Sequence, residues 1–216
     1  MSLSPFDQIT FDRFRSNLNR VRSLVGVYEQ LTAGRGQGRV AVQNADILRA
    51  AVVFLHASLE DLLRSLEESY VKLQLKKGAT LGSSIHFLVD SAKDTRKDRI
   101  TLGEAVMYHY DKTVEDVVRL SVEREFSTRT YNNFRDVVQA IEGLKLDTTC
   151  ATGSGSTLSM MMKRRHRIAH RADHNPIQGK GQHAALPISL RSFKLWLDTV
   201  RRVGQDLETQ MSARRT

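Results

Sequence analysis

Proline is nearly absent from the middle of this chain, and that absence constrains the fold more than any other feature. The three prolines lie at positions 5, 176 and 187, so residues 6–175 contain none. Proline interrupts helices because it has no backbone N–H to donate, and a long stretch without it lets helices extend. Apolar residues in this stretch recur at helical spacing, and no alternating pattern of useful length predicts a β-strand. We therefore expect an all-α fold, a helical bundle of about five to seven helices.

The first two helices have clear boundary signals. The first begins at Ser4-Pro5, a capping residue followed by proline at the first helical position, and the glycine-rich stretch GRGQGR ends it. The second begins near Asn44 and ends at Gly78. Its first half is apolar nearly all round, which predicts contacts with several neighbouring helices.

The second half of the chain predicts further helices. TVEDVVRLSVEREF and YNNFRDVVQAIEGL each have helical spacing, and residues 79–112 are expected to hold one or two short helices with loops. DTTCATGSGS is predicted to be a loop, and the helix after it to end at Asn175-Pro176, because a residue before proline disfavours the α region. A last helix begins at a cap, Ser189, and we expect its Phe193 and Trp196 in the core.

Length and composition indicate one globular domain. We expect a single all-helical domain over 1–216, with basic loops near 34–39 and 176–187 and a flexible tail at 212–216. Lys and Arg outnumber Asp and Glu by 33 to 24, a net charge of +9 that favours a polyanionic partner such as RNA. No apolar run is long enough for a membrane span, and MSLSPFDQITF lacks a signal-peptide core, so we expect a cytoplasmic protein. Cys150 is the single cysteine, which excludes an intrachain disulfide and a thiolate metal cluster.

The segment KRRHRIAHRAD, residues 163–173, holds the candidate functional residues. On a helical wheel Arg165 lies at the centre of an apolar stripe, and two histidines, His166 and His170, share one flank of it. The stripe consists of Leu158, Met161, Met162, Ile168, Ala169 and Ala172. The remaining basic residues point away from the stripe, and we expect them to face solvent and contact RNA: Lys163, Arg164, Arg167 and Arg171.

Arginine on a buried stripe requires compensation, because an unpaired buried charge is strongly destabilising. Arg165 therefore has a carboxylate partner, lies at a seam between chains where an anion reaches it, or extends along the stripe to water. On the second helix, four polar residues share one face: Arg49, His56, Glu60 and Glu67. Either Glu60 pairs with Arg165 and orients it, or these residues form a solvated polar strip.

Histidine and arginine together suit cleavage of an RNA phosphodiester. The reaction needs a group to take the 2′-OH proton and another to protonate the leaving oxygen, and histidine can do either near neutral pH. Arginine offers fixed donors that match phosphate oxygens. His166, His170 and His174 also repeat at H-x3-H-x3-H spacing, which raises zinc as an alternative, but the surrounding arginines would repel a dication. We expect no metal and no cofactor.

The segment RHRIAH, residues 165–170, resembles the R-polar-x3-H signature of HEPN domains (higher eukaryotes and prokaryotes nucleotide-binding). RIAHRAD is similar to the form found in bacterial HEPN proteins related to the RiboL-PSP group. Upstream, ILRAAVVFLHASLEDLLRSL resembles the first core helix of those proteins. Residues 79–150 carry no similarity of this kind.

The resemblance implies a metal-independent endoribonuclease. Members of the family typically dimerise so that two motif helices face each other across one composite cleft. By this resemblance Arg165 would hold the phosphate, His170 would be the acid/base, and His166 would fill the polar position. The candidate supporting residues are Glu60, Arg49, Arg171 and Asp173.

The sequence is compatible with three functions. The first is a ribonuclease of a toxin–antitoxin, phage-defence or stress system, acting as a homodimer on RNA with a possible antitoxin partner. The second is a non-catalytic nucleic-acid or nucleotide binder. The third is a structural interaction module whose basic helix is a solvated surface.

Overall fold

The computed structural model describes residues 4–33, 42–77, 107, 109–175 and 185–214. These ranges contain seven α-helices and, apart from one isolated antiparallel bridge between His174 and Ala185, no β-structure. The helices are α1 (Pro5–Thr32), α2 (Val42–Lys76), α3 (Val114–Thr128), α4 (Phe134–Gly143), α5 (Thr149–Gly153), α6 (Gly155–Arg171) and α7 (Leu190–Ala213). The all-α prediction is confirmed.

The chain divides into two compact units, and the boundary falls within α2. The first unit comprises residues 1–63 and 130–216, where α6 packs on α7 and on α4, and α7 packs on α1. Its core is built from fully buried apolar side chains, among them Phe11, Leu55, Leu59, Leu158, Phe193 and Leu207. The prediction of one domain over 1–216 stays a prediction.

The second unit comprises residues 64–129. In its described part, α3 buries Val122 and Phe126, and the second half of α2 buries Leu66. Glu67 and Arg129 form an ion pair, with 3.2 Å between Glu67 Oε1 and Arg129 Nη2. The helices predicted from TVEDVVRLSVEREF, and from YNNFRDVVQAIEGL in the first unit, are α3 and α4.

Two predicted helix starts are confirmed by their capping bonds. Ser4 Oγ accepts the N–H of Asp7 at the start of α1, with Pro5 in the first turn. Ser189 Oγ accepts the N–H of Ser192 at the start of α7. Such caps satisfy backbone N–H groups that have no partner within the helix. Because a capping residue is a local feature, the sequence predicts both helix starts.

The prediction that DTTCATGSGS is a loop is wrong. Residues 149–153 form α5, and α6 begins at Gly155. At the start of α5 the N–H of Thr149 donates to Asp147 Oδ1. Gly155 lies against the Phe134 ring, and a Cβ at this position would be 2.9 Å from Phe134 Cζ. The small residue therefore permits close packing of α6 on α4.

The prediction that the motif helix runs to Asn175 is also wrong, because α6 ends at Arg171. Ala172 and Asp173 adopt left-handed backbone with φ of 46° and 55°, and the N–H of each points to Arg167 O. This conformation costs a residue with a Cβ about 1–2 kcal/mol. The ion pairs of the Asp173 side chain with Arg49 and Arg164 offset that cost.

Several predictions fall outside the described residues. These are the basic loop at 34–39, most of the loop at 176–187, and most of the segment 79–112, in which one or two short helices are expected. The predicted tail begins inside α7, which extends through Ala213. No helix among the described ranges is long and apolar enough to cross a bilayer.

Candidate active site

The motif helix α6 is buried along its first half and exposed along its second. Leu158, Met161 and Met162 are buried in the core of the first unit, as the apolar stripe predicts. The stripe does not continue, because Ala169 and Ala172 are exposed at the end of the helix. The motif therefore lies where the helix leaves the core and reaches the surface.

Arg165 lies at this transition, and its side chain is 22% exposed. Its Nη1 donates to Asn132 Oδ1 at 3.2 Å, and its Nη2 lies 4.0 Å from Glu60 Oε2. The guanidinium thus has a neutral acceptor at hydrogen-bond distance and a carboxylate at the outer limit of an ion pair. These two contacts fix its position and leave part of it open to an incoming anion.

Glu60 is held behind Arg165 by a buried network. Its Oε1 accepts the N–H of Tyr131 at 3.0 Å, and its Oε2 lies 3.4 Å from His56 Nδ1. His56 Nε2 donates to Tyr131 O at 3.1 Å, since a carbonyl oxygen can only accept. Glu60 and His56, predicted on one face of the second helix, are therefore joined through the backbone of Tyr131.

The network keeps Glu60 ionised. Burial by itself raises the pKa of this carboxyl, but the contacts with His56, with the Tyr131 N–H and with Arg165 outweigh burial and lower the pKa to about 2. A charged carboxylate therefore faces Arg165 at any pH near neutrality. This is the geometry expected if Glu60 orients Arg165, and it differs from a solvated polar strip because Glu60 is largely buried.

His166 and His170 are exposed on the same flank of α6. Their ring centroids are 4.6 Å apart and the rings are tilted by 45°. The two imidazoles therefore reach one small area of the surface, next to Arg165 in sequence. This area is suited to proton transfer, because both rings are accessible to a bound substrate and to water.

The arginine before the motif, Arg164, does not face solvent as the wheel predicted. Its side chain is 14% exposed, and its Nη2 donates to Asp173 Oδ2 at 2.5 Å and to Leu186 O at 2.9 Å. Arg49 donates to the same Asp173 oxygen at 2.8 Å and to the same Leu186 carbonyl at 2.7 Å. The expectation that Arg164 points outward is wrong because the fully buried Asp173 draws it inward.

Two of the candidate supporting residues therefore belong to a different cluster. Asp173 forms ion pairs with Arg49 and Arg164, whereas Glu60 contacts Arg165. Burial lowers the pKa of Arg164, and the charge of Asp173 opposes that effect. The predicted polar face of the second helix also separates, since Glu67 pairs with Arg129 in the second unit.

The other predicted RNA-contacting residues are exposed along α6: Lys163, Arg167 and Arg171. Within the described ranges, no three His, Cys, Asp or Glu side chains gather as a metal site would require. Cys150 is half-buried, and burial raises the pKa of its thiol, which disfavours the reactive thiolate. Neither finding gives the motif a metal ligand or a thiol nucleophile.

Asn132 is the site residue that sequence reasoning missed. It lies in the turn before α4, and its Nδ2 donates to Thr130 Oγ1 at 2.9 Å while its Oδ1 accepts from Arg165. The local sequence YNNF contains two asparagines, which predict the start of a helix and not a contact with Arg165. Asn133 does serve that role, since its Oδ1 accepts the N–H of Asp136.

Comparison with known proteins identifies a family. Residues 15–213 match the family described as RiboL-PSP-HEPN, a span that begins within α1 and ends with α7. No curated protein and no solved structure matches the chain. The family match covers the motif helix and both residues that contact Arg165, Glu60 on α2 and Asn132 before α4. The chain belongs to the RiboL-PSP-HEPN family.

Proposed function

We propose that this protein is a metal-independent endoribonuclease with Arg165, His166 and His170 in its active site. One arrangement carries the proposal: Arg165 is held between Asn132 and Glu60 while both histidines are exposed on the same flank of the helix. A cation fixed beside two accessible imidazoles matches the needs of phosphodiester cleavage by the neighbouring 2′-OH.

The reaction follows from these groups. A neutral imidazole takes the 2′-OH proton as that oxygen attacks phosphorus, and Arg165 stabilises the negative charge that builds on the phosphate oxygens. A protonated imidazole gives its proton to the 5′ oxygen as the P–O5′ bond breaks. The products are a 2′,3′-cyclic phosphate and a 5′-hydroxyl. We assign the proton transfers to His170 and the polar position beside Arg165 to His166.

The proposal includes a homodimer in which two motif helices share one cleft. The exposed end of α6 supports it, because the small residues Ala169 and Ala172 lie beside the two imidazoles there and are exposed with them. Two copies of His170 in one cleft would divide the base and acid roles between them. A two-fold axis through this surface brings the same residues together from each chain.

The decisive experiment is cleavage of RNA in EDTA by wild type and His170→Ala. We expect products with 2′,3′-cyclic phosphate ends from the wild type, and a loss of about 100-fold or more in the variant, the typical value of one acid–base group. Circular dichroism and RNA affinity should be unchanged. His174→Ala is the matched control, since His174 is exposed just beyond the motif and should retain full activity.

Two results would contradict the proposal. Cleavage by His170→Ala at the wild-type rate would exclude the assigned role, and cleavage that requires a divalent cation would exclude the metal-independent route. A protein that binds RNA with steep salt dependence and cuts none would be a nucleic-acid binder instead.

We further propose that the nuclease acts in the cytoplasm as a toxin or defence factor controlled by a partner such as an antitoxin. The charge of +9 and the exposed basic residues of α6 support RNA as its substrate. Overexpression should therefore slow growth, and Arg165→Ala should relieve that effect. Equal growth inhibition by both proteins would contradict this role.

A further inference from the structure

A cavity of about 370 Å³ opens beside the motif, between α6 and the turn before α4. Its size lies within the range of pockets that hold small molecules, about 300–1,000 Å³. Residues that line it include Asn132, Asn133, Phe134, His166, Arg167 and Arg171. His170, to which we assign the proton transfers, does not line the cavity. His166 lines the cavity and also belongs to the motif.

Both asparagines in the cavity wall have committed their amide oxygens to the protein. Asn132 Oδ1 accepts from Arg165, and Asn133 Oδ1 accepts the N–H of Asp136 at the start of α4. An amide oxygen has two lone pairs and an amide nitrogen has two hydrogens. Because Asn132 Nδ2 donates one hydrogen to Thr130 Oγ1, the two side chains together offer a ligand three amide hydrogens and two lone pairs.

The basic side chains in the wall add more donors. Arg167 and Arg171 are exposed guanidinium groups, and Lys163 also lines the cavity. Guanidinium and ammonium groups donate hydrogen bonds and accept none. Ser159 and His166 in the wall can each donate or accept, so the polar part of the lining holds more donors than acceptors and favours a ligand that presents acceptors.

Phe134 provides an aromatic surface in the same wall. Its ring lies against Gly155, where a Cβ would come within 2.9 Å of Cζ, so the close approach of α6 fixes the ring. Aromatic side chains in RNA-binding proteins stack on bases. Such stacking does not depend on the identity of the base, because every base has a π-face. Stacking on Phe134 would bind a base without selectivity, and the hydrogen-bond donors of the cavity wall would make binding depend on which base it is.

We propose that this cavity binds one base of the RNA substrate, next to the phosphate held by Arg165, and prefers uracil or guanine to cytosine or adenine. The position of that phosphate rests on the proposed function. Asn132 links the two sites, since its amide contacts Arg165 and also lines the cavity. Uracil and guanine carry a carbonyl oxygen where cytosine and adenine carry an amino group.

The preference follows from hydrogen-bond matching. A carbonyl oxygen accepts from the donor-rich wall, whereas an amino group would bring its own donors against those of the protein. Both sets of donors would then lose water without gaining an acceptor, and that desolvation is unfavourable. A site built to hydrogen-bond one group rejects the analogue that lacks it for the same reason.

The test measures binding rather than cleavage and uses His170→Ala protein, so that RNA stays intact. Fluorescent decamers of uridine and cytidine form one pair, and decamers of inosine and adenosine form a second. Each pair differs at the carbonyl or amino position. We expect uridine over cytidine, and inosine over adenosine, by about tenfold in Kd. The salt dependence should be equal within a pair, because the phosphates are the same.

Asn133→Asp is the sharpest variant, introduced into the same His170→Ala protein. Aspartate caps a helix as well as asparagine does, so α4 should be retained, but the Nδ2 donor becomes an acceptor. We expect the uridine-to-cytidine ratio to fall to about one or to reverse. Asn19→Asp is the matched control, because Asn19 is exposed on α1 and accepts from Arg22. It should keep the wild-type ratio despite the same change in charge.

The outcomes separate this inference from the proposed function. Equal affinity for uridine and cytidine, or the same ratio in Asn133→Asp and Asn19→Asp, overturns the base preference even if the wild type cuts RNA. Selective binding that is lost in Asn133→Asp supports the cavity even if the wild type cuts nothing. Failure to bind any decamer overturns it as well.

Discussion

At the scale of single residues, Glu60 is the carboxylate that faces the guanidinium of Arg165. Its carboxylate receives the Tyr131 N–H, faces His56 at 3.4 Å and faces Arg165 at 4.0 Å. The negative charge gives Arg165 a fixed counter-charge inside the protein and favours one orientation of the guanidinium. This geometry supports the proposed role of Glu60 in orienting Arg165, and we expect the charge of Glu60 to contribute to stability.

We predict that Glu60 stabilises the fold in a pH-dependent way. The pKa falls from its ordinary 4.5 to about 2 on folding, so the stabilisation is full above about pH 5 and is lost as pH falls through about 2. Between about pH 7 and pH 3 this group should lose about 2 kcal/mol of unfolding free energy. Urea denaturation at several pH values measures it, and Glu60→Gln should lack this component.

Glu123→Gln is the control for that measurement. Glu123 lies on α3 in an exposed ion pair with Arg119, so its removal should leave the pH dependence close to that of the wild type. If Glu60→Gln and wild type lose the same free energy on acidification, Glu60 does not carry the charge that we assign to it.

The site residues differ in how far the sequence could reveal them. Arg165, His166 and His170 lie within six positions, so one helical wheel and one motif identify them. Asn132 is 33 positions from Arg165, and no local pattern connects a turn residue with a distant helix. Arg164 was misplaced for a related reason, because its partner Asp173 lies beyond the helix and is itself buried by the fold.

At the scale of elements, the end of α6 is fixed by one buried carboxylate. Asp173 Oδ2 accepts from both Arg49 on α2 and Arg164 on α6, and both arginines also donate to Leu186 O. This cluster connects three parts of the first unit directly after the motif. It also compensates the left-handed backbone of Ala172 and Asp173, so the helix stops where the histidines are exposed.

We predict that Asp173→Asn destabilises the protein by about 3 kcal/mol or more, because it leaves the largely buried Arg164 without a carboxylate partner and Arg49 with only the exposed Asp46. The substitution preserves size, so the loss reports charge rather than packing. Asp46→Asn is the matched control, since Asp46 also pairs with Arg49 but its side chain is 61% exposed. It should cost about 1 kcal/mol or less. Equal losses in urea denaturation would show that the buried cluster is not what holds the end of α6.

At the scale of the whole molecule, the helical class followed from the lack of proline and from side-chain caps. The starts at Ser4 and Ser189 were predictable because a cap is a local hydrogen bond. The short helix at 149–153 was not, because its small residues and its glycine indicate a loop until its packing on α7 is known. Tertiary contacts decided these residues, and their local propensity did not.

The surface at the end of α6 leads to the last prediction, which concerns assembly. If two chains meet through this surface, Ala169 lies at the seam, and Ala169→Arg would place like charges and extra volume there. We expect sedimentation to give a dimer for the wild type and a monomer for the variant, with unchanged circular dichroism. RNA cleavage should fall together with the dimer fraction. Ala57→Arg, at an exposed alanine on α2, is the matched control and should stay dimeric. A wild type that sediments as a monomer at the concentration where it cuts RNA would refute the shared cleft, because each chain would then act alone.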